Sequence, residues 1–114
     1  MSAHTELIDG QLEAYRTRDL ERFLTFFAPD VTVTDFDGNV LMQGLEGIRA
    51  NYEPLFANSP NLTVEIISRL ESGNFVVDLE HLEGFNNPPY PPVFDAGCAY
   101  RISEGKIDAM KFLL

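Results

Sequence analysis

Cationic side chains are scarce in this chain. Eight Lys and Arg stand against eighteen Asp and Glu, for a net charge of −10 and a pI of about 4.4. A nucleic-acid binder needs a basic footprint to meet phosphates, and here no Lys or Arg run exists. The same shortage argues against anionic membrane surfaces, so neither nucleic acid nor membrane is an expected partner. Cysteine is represented by Cys98 alone, which excludes an intrachain disulfide and is compatible with a reducing compartment. No apolar run approaches the roughly 20 residues of a membrane span. The first residues, MSAHTELIDG, lack the basic and apolar regions of a secretory signal, so the expected location is cytoplasmic. One Cys, two His and scattered carboxylates do not make zinc-ligand spacing, and no metal is expected. DFDGNV is a turn and not a phosphate-cradling GxGxxG, so no cofactor is expected.

What is present is enough apolar mass for one core. Hydrophobic residues make up 45% of the 114, with nine Phe and four Tyr, and residues 1–114 read as a single domain. The organising stretch is VTVTDFDGNVLMQG, Val31 to Gly44. Side chains alternate along a strand, so Val31, Val33 and Asp35 share one face and Thr32, Thr34 and Phe36 the other. An acid thus ends an apolar stripe just before the Asp37-Gly38-Asn39 turn.

Leu7, Ile8, Leu12 and Tyr15 recur at helical spacing, with Gln11 on the same face, and predict a helix over 4–17 with Ser2 as N-cap. Asp19 is the N-cap of a second, short helix whose apolar face is Leu20, Phe23, Leu24 and Phe27, ended by Pro29-Asp30. A third helix over 45–58 carries Leu45, Ile48, Tyr52, Leu55 and Phe56, and Pro54 should kink or split it. The period then changes from 3.6 to 2. Strands are expected at 62–71 (Leu62, Val64, Ile66 and Leu70 on one side), 75–85, 93–103 and 106–114. On the second, Phe75, Val77, Leu79, His81, Glu83 and Phe85 form the apolar face, and Val76, Asp78, Glu80 and Leu82 the more polar one. On the third, Phe94, Ala96, Cys98, Tyr100 and Ile102 face the core. The last is apolar on both faces, Met110, Phe112 and Leu114 against Ile107, Ala109 and Leu113, as in a central or covered strand. Helices first and long strands last predict an α+β domain: three helices on the concave face of a strongly curved antiparallel sheet, with a cone-shaped cavity between them.

Three stretches, AYRTRDLERFLTFFAPDVTVTDFDG, QGLEGIRANYEPLF and YRISEGKIDAMKFLL, resemble the nuclear transport factor 2-like superfamily, in its SnoaL-like and ketosteroid-isomerase-like branch. The resemblance covers nearly the whole chain. It implies a pocket for a small hydrophobic, cyclic molecule and a homodimer formed through the sheet face. It also implies an Asp base at the end of the first long strand, a position that Asp35 matches. The isomerase oxyanion hole is not kept: its Tyr position falls on Gln11 and its Asp position on Cys98. Two further pocket Tyr positions fall on Phe27 and Tyr52. Fold analogy alone does not choose a reaction.

Asp35 is the leading candidate for a general base, expected to be partly desolvated with a raised pKa. The bland alternative is an exposed hairpin Asp that caps its turn. His81 is a candidate proton donor or acceptor facing Asp35, or else a His satisfied by Glu83 or a Tyr. Its strand neighbours Leu79 and Glu83, with Gln11, Tyr15, Phe27, Tyr52, Cys98, Tyr100, Met110 and Phe112, complete the expected ligand wall. Cys98 reads as a pocket-wall residue more readily than as a nucleophile. Gln11, Tyr15, Tyr52 and Tyr100 are candidate donors to a ligand, or core side chains with a polar tip. NNPPYPP, residues 86–92, is a connecting loop that could cover the pocket. Three functional readings remain open: an acid/base isomerase, cyclase or dehydratase; a non-catalytic binder; and a dimeric interaction module with a filled cavity.

Overall fold

The computed structural model describes residues 2–113. The chain runs α1 (Ala3–Arg16), α2 (Leu20–Leu24), β1 (Phe27–Thr34), β2 (Val40–Gln43), α3 (Gly44–Asn58), β3 (Thr63–Ser72), β4 (Phe75–Glu83), β5 (Phe94–Ser103) and β6 (Lys106–Leu113). Ser2 closes a capping box with Thr5, each side chain accepting from the other's backbone N–H at 3.1 Å. Asp19 caps α2 by accepting from Arg22 N at 3.2 Å. α3 runs unbroken through Pro54, on its exposed side, where water can meet the carbonyl that Pro leaves unpaired. Among the described residues no helix is long and apolar enough to cross a membrane.

The strands form one curved, unclosed sheet in the order β2-β1-β6-β5-β4-β3, and the helices cover one face of it. The α+β expectation holds, with one amendment: β1 and β6 run parallel, so the sheet is mixed. β6 lies in its interior, between β1 and β5, which accounts for apolar residues on both faces. Phe27 does not close α2 but opens β1. It packs on Phe23 at a ring-centroid distance of 5.1 Å, in an aromatic cluster with Tyr15, Tyr52 and Phe56. Gly10 makes room for this corner: a Cβ there would lie 2.7 Å from the Phe26 ring.

Two bulges decide which side chains face inward. In β3 the register shifts between Ile66 and Ser68, so Leu70 turns outward, at 64% exposure, and Arg69 turns in beside Asp78. In β6 the pairings Arg101 with Ala109 and Ile102 with Ile107 leave Asp108 extra, and both Ile107 and Met110 are buried.

β4 presents the face opposite to the one its apolar count suggests. Val76, Asp78, Glu80 and Leu82 are buried, while Phe75, Leu79 and Glu83 are exposed and His81 is half-buried on the outer face. The reason is pairing. Val76 sits opposite Tyr100, Asp78 opposite Cys98, Glu80 opposite Ala96 and Leu82 opposite Phe94, so these residues share the face that β5 buries. Asp78 is fully buried, and Arg69 holds it through two bonds, Nε to Oδ1 at 2.6 Å and a second guanidinium nitrogen to Oδ2 at 2.9 Å. The same guanidinium reaches Asp9 of α1 at 2.8 Å.

Removing one partner of a buried pair strands the other charge. Arg69→Met should cost about 3–5 kcal/mol in urea unfolding, whereas Asp9→Asn, at the exposed end, should cost about 1 kcal/mol or less. Equal losses would show that Asp78 does not depend on this bridge.

Candidate functional site

A cavity of about 520 Å³ opens between α1, α3, the concave sheet face and the β4–β5 loop. α1 contributes Gln11 and Tyr15 because their spacing places them one turn apart on its buried face. α3 contributes Tyr52, β4 Glu80, β5 Cys98 and Tyr100, and β6 Met110 and Phe112. Around the mouth lie Asp35, Phe36 and Asp37, with Phe85 and Phe94 at the ends of the β4–β5 loop and Tyr90 within it. These three rings form their own cluster, with centroids 5.0–6.0 Å apart. The turn into that loop is held by Gly84 at φ +69, where a Cβ would collide with Asn61 O.

The chemistry of the wall centres on Glu80, which alternation along β4 assigns to its more polar face. It is 7% exposed, and Tyr100 donates its hydroxyl to Oε2 at 2.9 Å. Burial raises its pKa to about 7; Tyr100 lowers it, Asp78 raises it further, and Arg69 and Arg16 pull it down. Burial also lifts Tyr15, with Glu80 adding to the effect. Tyr52, Cys98 and Tyr100 rise well above their ordinary values for the same first reason. Cys98 is therefore a neutral wall thiol, since burial outweighs the lowering by Tyr100. Gln11 is 3% exposed, and its Oε1 has no hydrogen-bond partner among the described residues.

Asp35 lies at the mouth, half-buried, and its pKa is lowered, not raised. Asn39 is the main cause, donating its side-chain amide to Oδ2 and its backbone N–H to Oδ1, both at 2.9 Å. The carboxylate is thus occupied in closing the 35–39 turn. His81 and Asp35 do not converge. His81 lies on the convex face, its ring nitrogens 2.7 Å from Asp95 Oδ1 and 2.8 Å from Glu83 Oε2, and Asp95 followed by Glu83 raises its pKa. Leu79 and Glu83 share that outer face and do not touch the cavity, because the register of β4 on β5 turns all three away. Phe27 is in the core cluster and not in the cavity wall. Gln11, Tyr15, Tyr52, Cys98, Tyr100, Met110 and Phe112 do line it. A sequence signal for Glu80 existed: Val76 and Leu82 bracket the two acids at period 2, and Arg69 stands on the neighbouring strand. The bulge at Ile67 hid the pairing.

Glu80 also makes stability depend on pH. Its folded value near 7 stands above the ordinary 4.5, so the folded chain keeps a proton that the unfolded chain releases between those values. Its contribution is intact below about pH 4.5 and is lost as pH rises through 7, a penalty of about 3 kcal/mol when complete. Glu80→Gln should accordingly gain about 2–3 kcal/mol over wild type near pH 8 and nothing near pH 4. Paired denaturation curves at the two pH values test this; a gain of equal size at both would mean that Glu80 is not held neutral by burial.

The SnoaL-like domain profile matches residues 8–110. No curated protein matches the chain. An uncharacterized cystatin-fold protein from Novosphingobium aromaticivorans superposes with a TM-score of 0.87 at 24% identity, over 100% of this chain and 99% of its own. TerC, co-crystallized with polyporic acid, gives 0.80 at 20% identity, over 99% and 92%. A candidate polyketide cyclase from Sinorhizobium meliloti gives 0.78 at 16% identity, over 98% and 99%. At such identities the likeness is one of fold. The profile match covers nearly all of the sequence, and the chain belongs to the SnoaL-like domain family, with the fold of nuclear transport factor 2-like and ketosteroid isomerase-like proteins.

Proposed function

We propose that this protein binds a small hydrophobic, cyclic molecule in the concave cavity and moves a proton on it, in isomerase, cyclase or lyase-like chemistry, with Glu80 as the acid/base group. The observation that carries the reading is a carboxyl in the cavity wall with a pKa of about 7 and a tyrosine hydroxyl 2.9 Å away. A general acid/base works best when its pKa lies near the working pH. Desolvation supplies that here, and Tyr100 orients the carboxyl. Asp35, whose oxygens bond Asn39, guards the mouth in this reading. The aromatic walls and the volume suit a ring system. The co-crystallized ligand of TerC and the cyclase name of the Sinorhizobium neighbour point in the same direction.

The test is a thermal-shift screen with cyclic ketones and polyketide-like aromatics, followed by turnover of any hit. Glu80→Gln should lower turnover by about a hundredfold or more, while Asp35→Asn should leave it nearly unchanged. The reverse pattern would return the base to Asp35. Hits that bind without turnover in wild type would favour a non-catalytic binder.

Assembly is a second proposal. Leu70, Phe75, Leu79 and Leu113 are exposed on the convex face, in neighbouring cross-strand rows, rimmed by Arg101, Lys111 and the His81 cluster. An apolar patch of this kind, with a polar rim, suits a two-fold homodimer through the sheet face. Light scattering at micromolar concentration should give twice the chain mass, and Leu79→Lys should return it to the monomer. A monomeric wild type would exclude this interface.

A further inference from the structure

The cavity has a charge character that its volume does not reveal. Among the described residues no Lys, Arg or His lines it, whereas Asp35, Asp37 and Glu80 do. Glu80 is the buried one of the three, and its nearby cations are already engaged. Arg69 bonds both oxygens of Asp78 and one of Asp9. Arg16 donates Nε to Val64 O at 2.9 Å and lies 3.7 Å from Glu13. Among the described residues Glu80 is left with the Tyr100 hydroxyl and no ion-pair partner. Gln11 Oε1 is a second acceptor of the same wall, without a donor among the described residues. Tyr15, Tyr52 and Tyr100 line the same cavity. A buried carboxylate without a cation, unfilled acceptors and aromatic faces together describe a receptor for positive charge.

We propose that the ligand of this cavity is an organic amine on an apolar ring body, whose ammonium pairs with Glu80 and is enclosed by the tyrosine rings. The proposal rests on the reading of the cavity as the ligand site and names its ligand class. Anionic ligands meet Asp35 and Asp37 at the mouth and no lining cation among the described residues, which disfavours them relative to amines. The acidic mouth and the net charge of −10 draw cations toward the opening.

The pairing is linked to protons. The groups facing Glu80 are Asp78 on its own strand, Cys98 and Tyr100 on β5, Arg69 on β3, Arg16 and Tyr15 on α1, and Tyr52 on α3. Burial keeps the thiol and the three phenols neutral, so the carboxyl with a value of about 7 is the group whose charge changes near neutrality.

The experiment is isothermal titration with three matched probes, naphthylmethylamine, naphthylmethanol and naphthoate, on wild type and Glu80→Gln. Near pH 8 the amine should bind wild type about tenfold tighter than the alcohol, and the acid weaker than either. Amine affinity should rise about tenfold between pH 6 and pH 8 while alcohol affinity stays level. In Glu80→Gln the alcohol should still bind, which reports an intact cavity, and the amine should lose its advantage. An alcohol that matches the amine in wild type, an advantage that survives in Glu80→Gln, a flat pH profile, or no binding by any probe would each overturn the proposal. Alcohol binding without amine preference would overturn it while leaving the cavity reading standing. Proton-transfer turnover that survives Glu80→Gln would sink the catalytic role alone.

Discussion

The Arg69–Asp78 bridge is the constraint on which the site depends. A fully buried aspartate is tolerated here because one guanidinium meets both of its oxygens and ties β3 and β4 to α1 through Asp9. The pairing with β5 sets which face of β4 looks inward, and the bridge makes the burial of Asp78 on that face tolerable. Alternation carries the consequence along the strand: with Asp78 inside, Glu80 is inside and His81 is outside. The bulge at Ile67 is part of the same device, since without the extra residue Arg69 would point away from Asp78.

Two carboxylates of the cavity are set apart by their environments. Asp35 sits at the mouth with two donors from Asn39, and its charge is comfortable. Glu80 sits in the wall with one phenol, and its charge is not. The difference is solvation and donor count, not residue type. Glu80 therefore works against stability above neutral pH while being suited to exchange a proton there. A group kept at an unfavourable site in an otherwise satisfied core is the pattern of function held at the expense of stability.

The two faces of the sheet divide the labour. The concave face carries the aromatic cluster and the cavity; the convex face carries exposed leucines, Phe75 and the His81–Asp95–Glu83 cluster. His81, with both ring nitrogens bonded to surface carboxylates, belongs to the outer face in charge as well as in place. Whatever meets the convex face does so without touching the cavity wall directly, because the β4 backbone lies between them.

How much of this was legible beforehand follows from the range of the forces involved. Helices α1 to α3, the caps at Ser2 and Asp19, the turn at Asp35–Asn39 and the α+β order are written in local periodicity and capping chemistry. The cavity residues Gln11, Tyr15 and Tyr52 could be read too, because a helix face is set by its own spacing. The family wording fixed the expectation of a pocket. What only tertiary structure decided was the facing of β4, the parallel pairing of β1 with β6, and which carboxyl of the cavity is buried. Counting apolar residues along β4 favours the wrong face, since its buried acids are made tolerable by Arg69 on one neighbour and Tyr100 on the other. Those partners lie 9 and 20 residues away in the chain, and a bulge stands between Arg69 and the pattern that would announce it. Local sequence determines which elements form. Long-range hydrogen bonds and strand register determine which of their side chains are desolvated, and desolvation is what turned Glu80, and not Asp35, into the titratable group of this cavity.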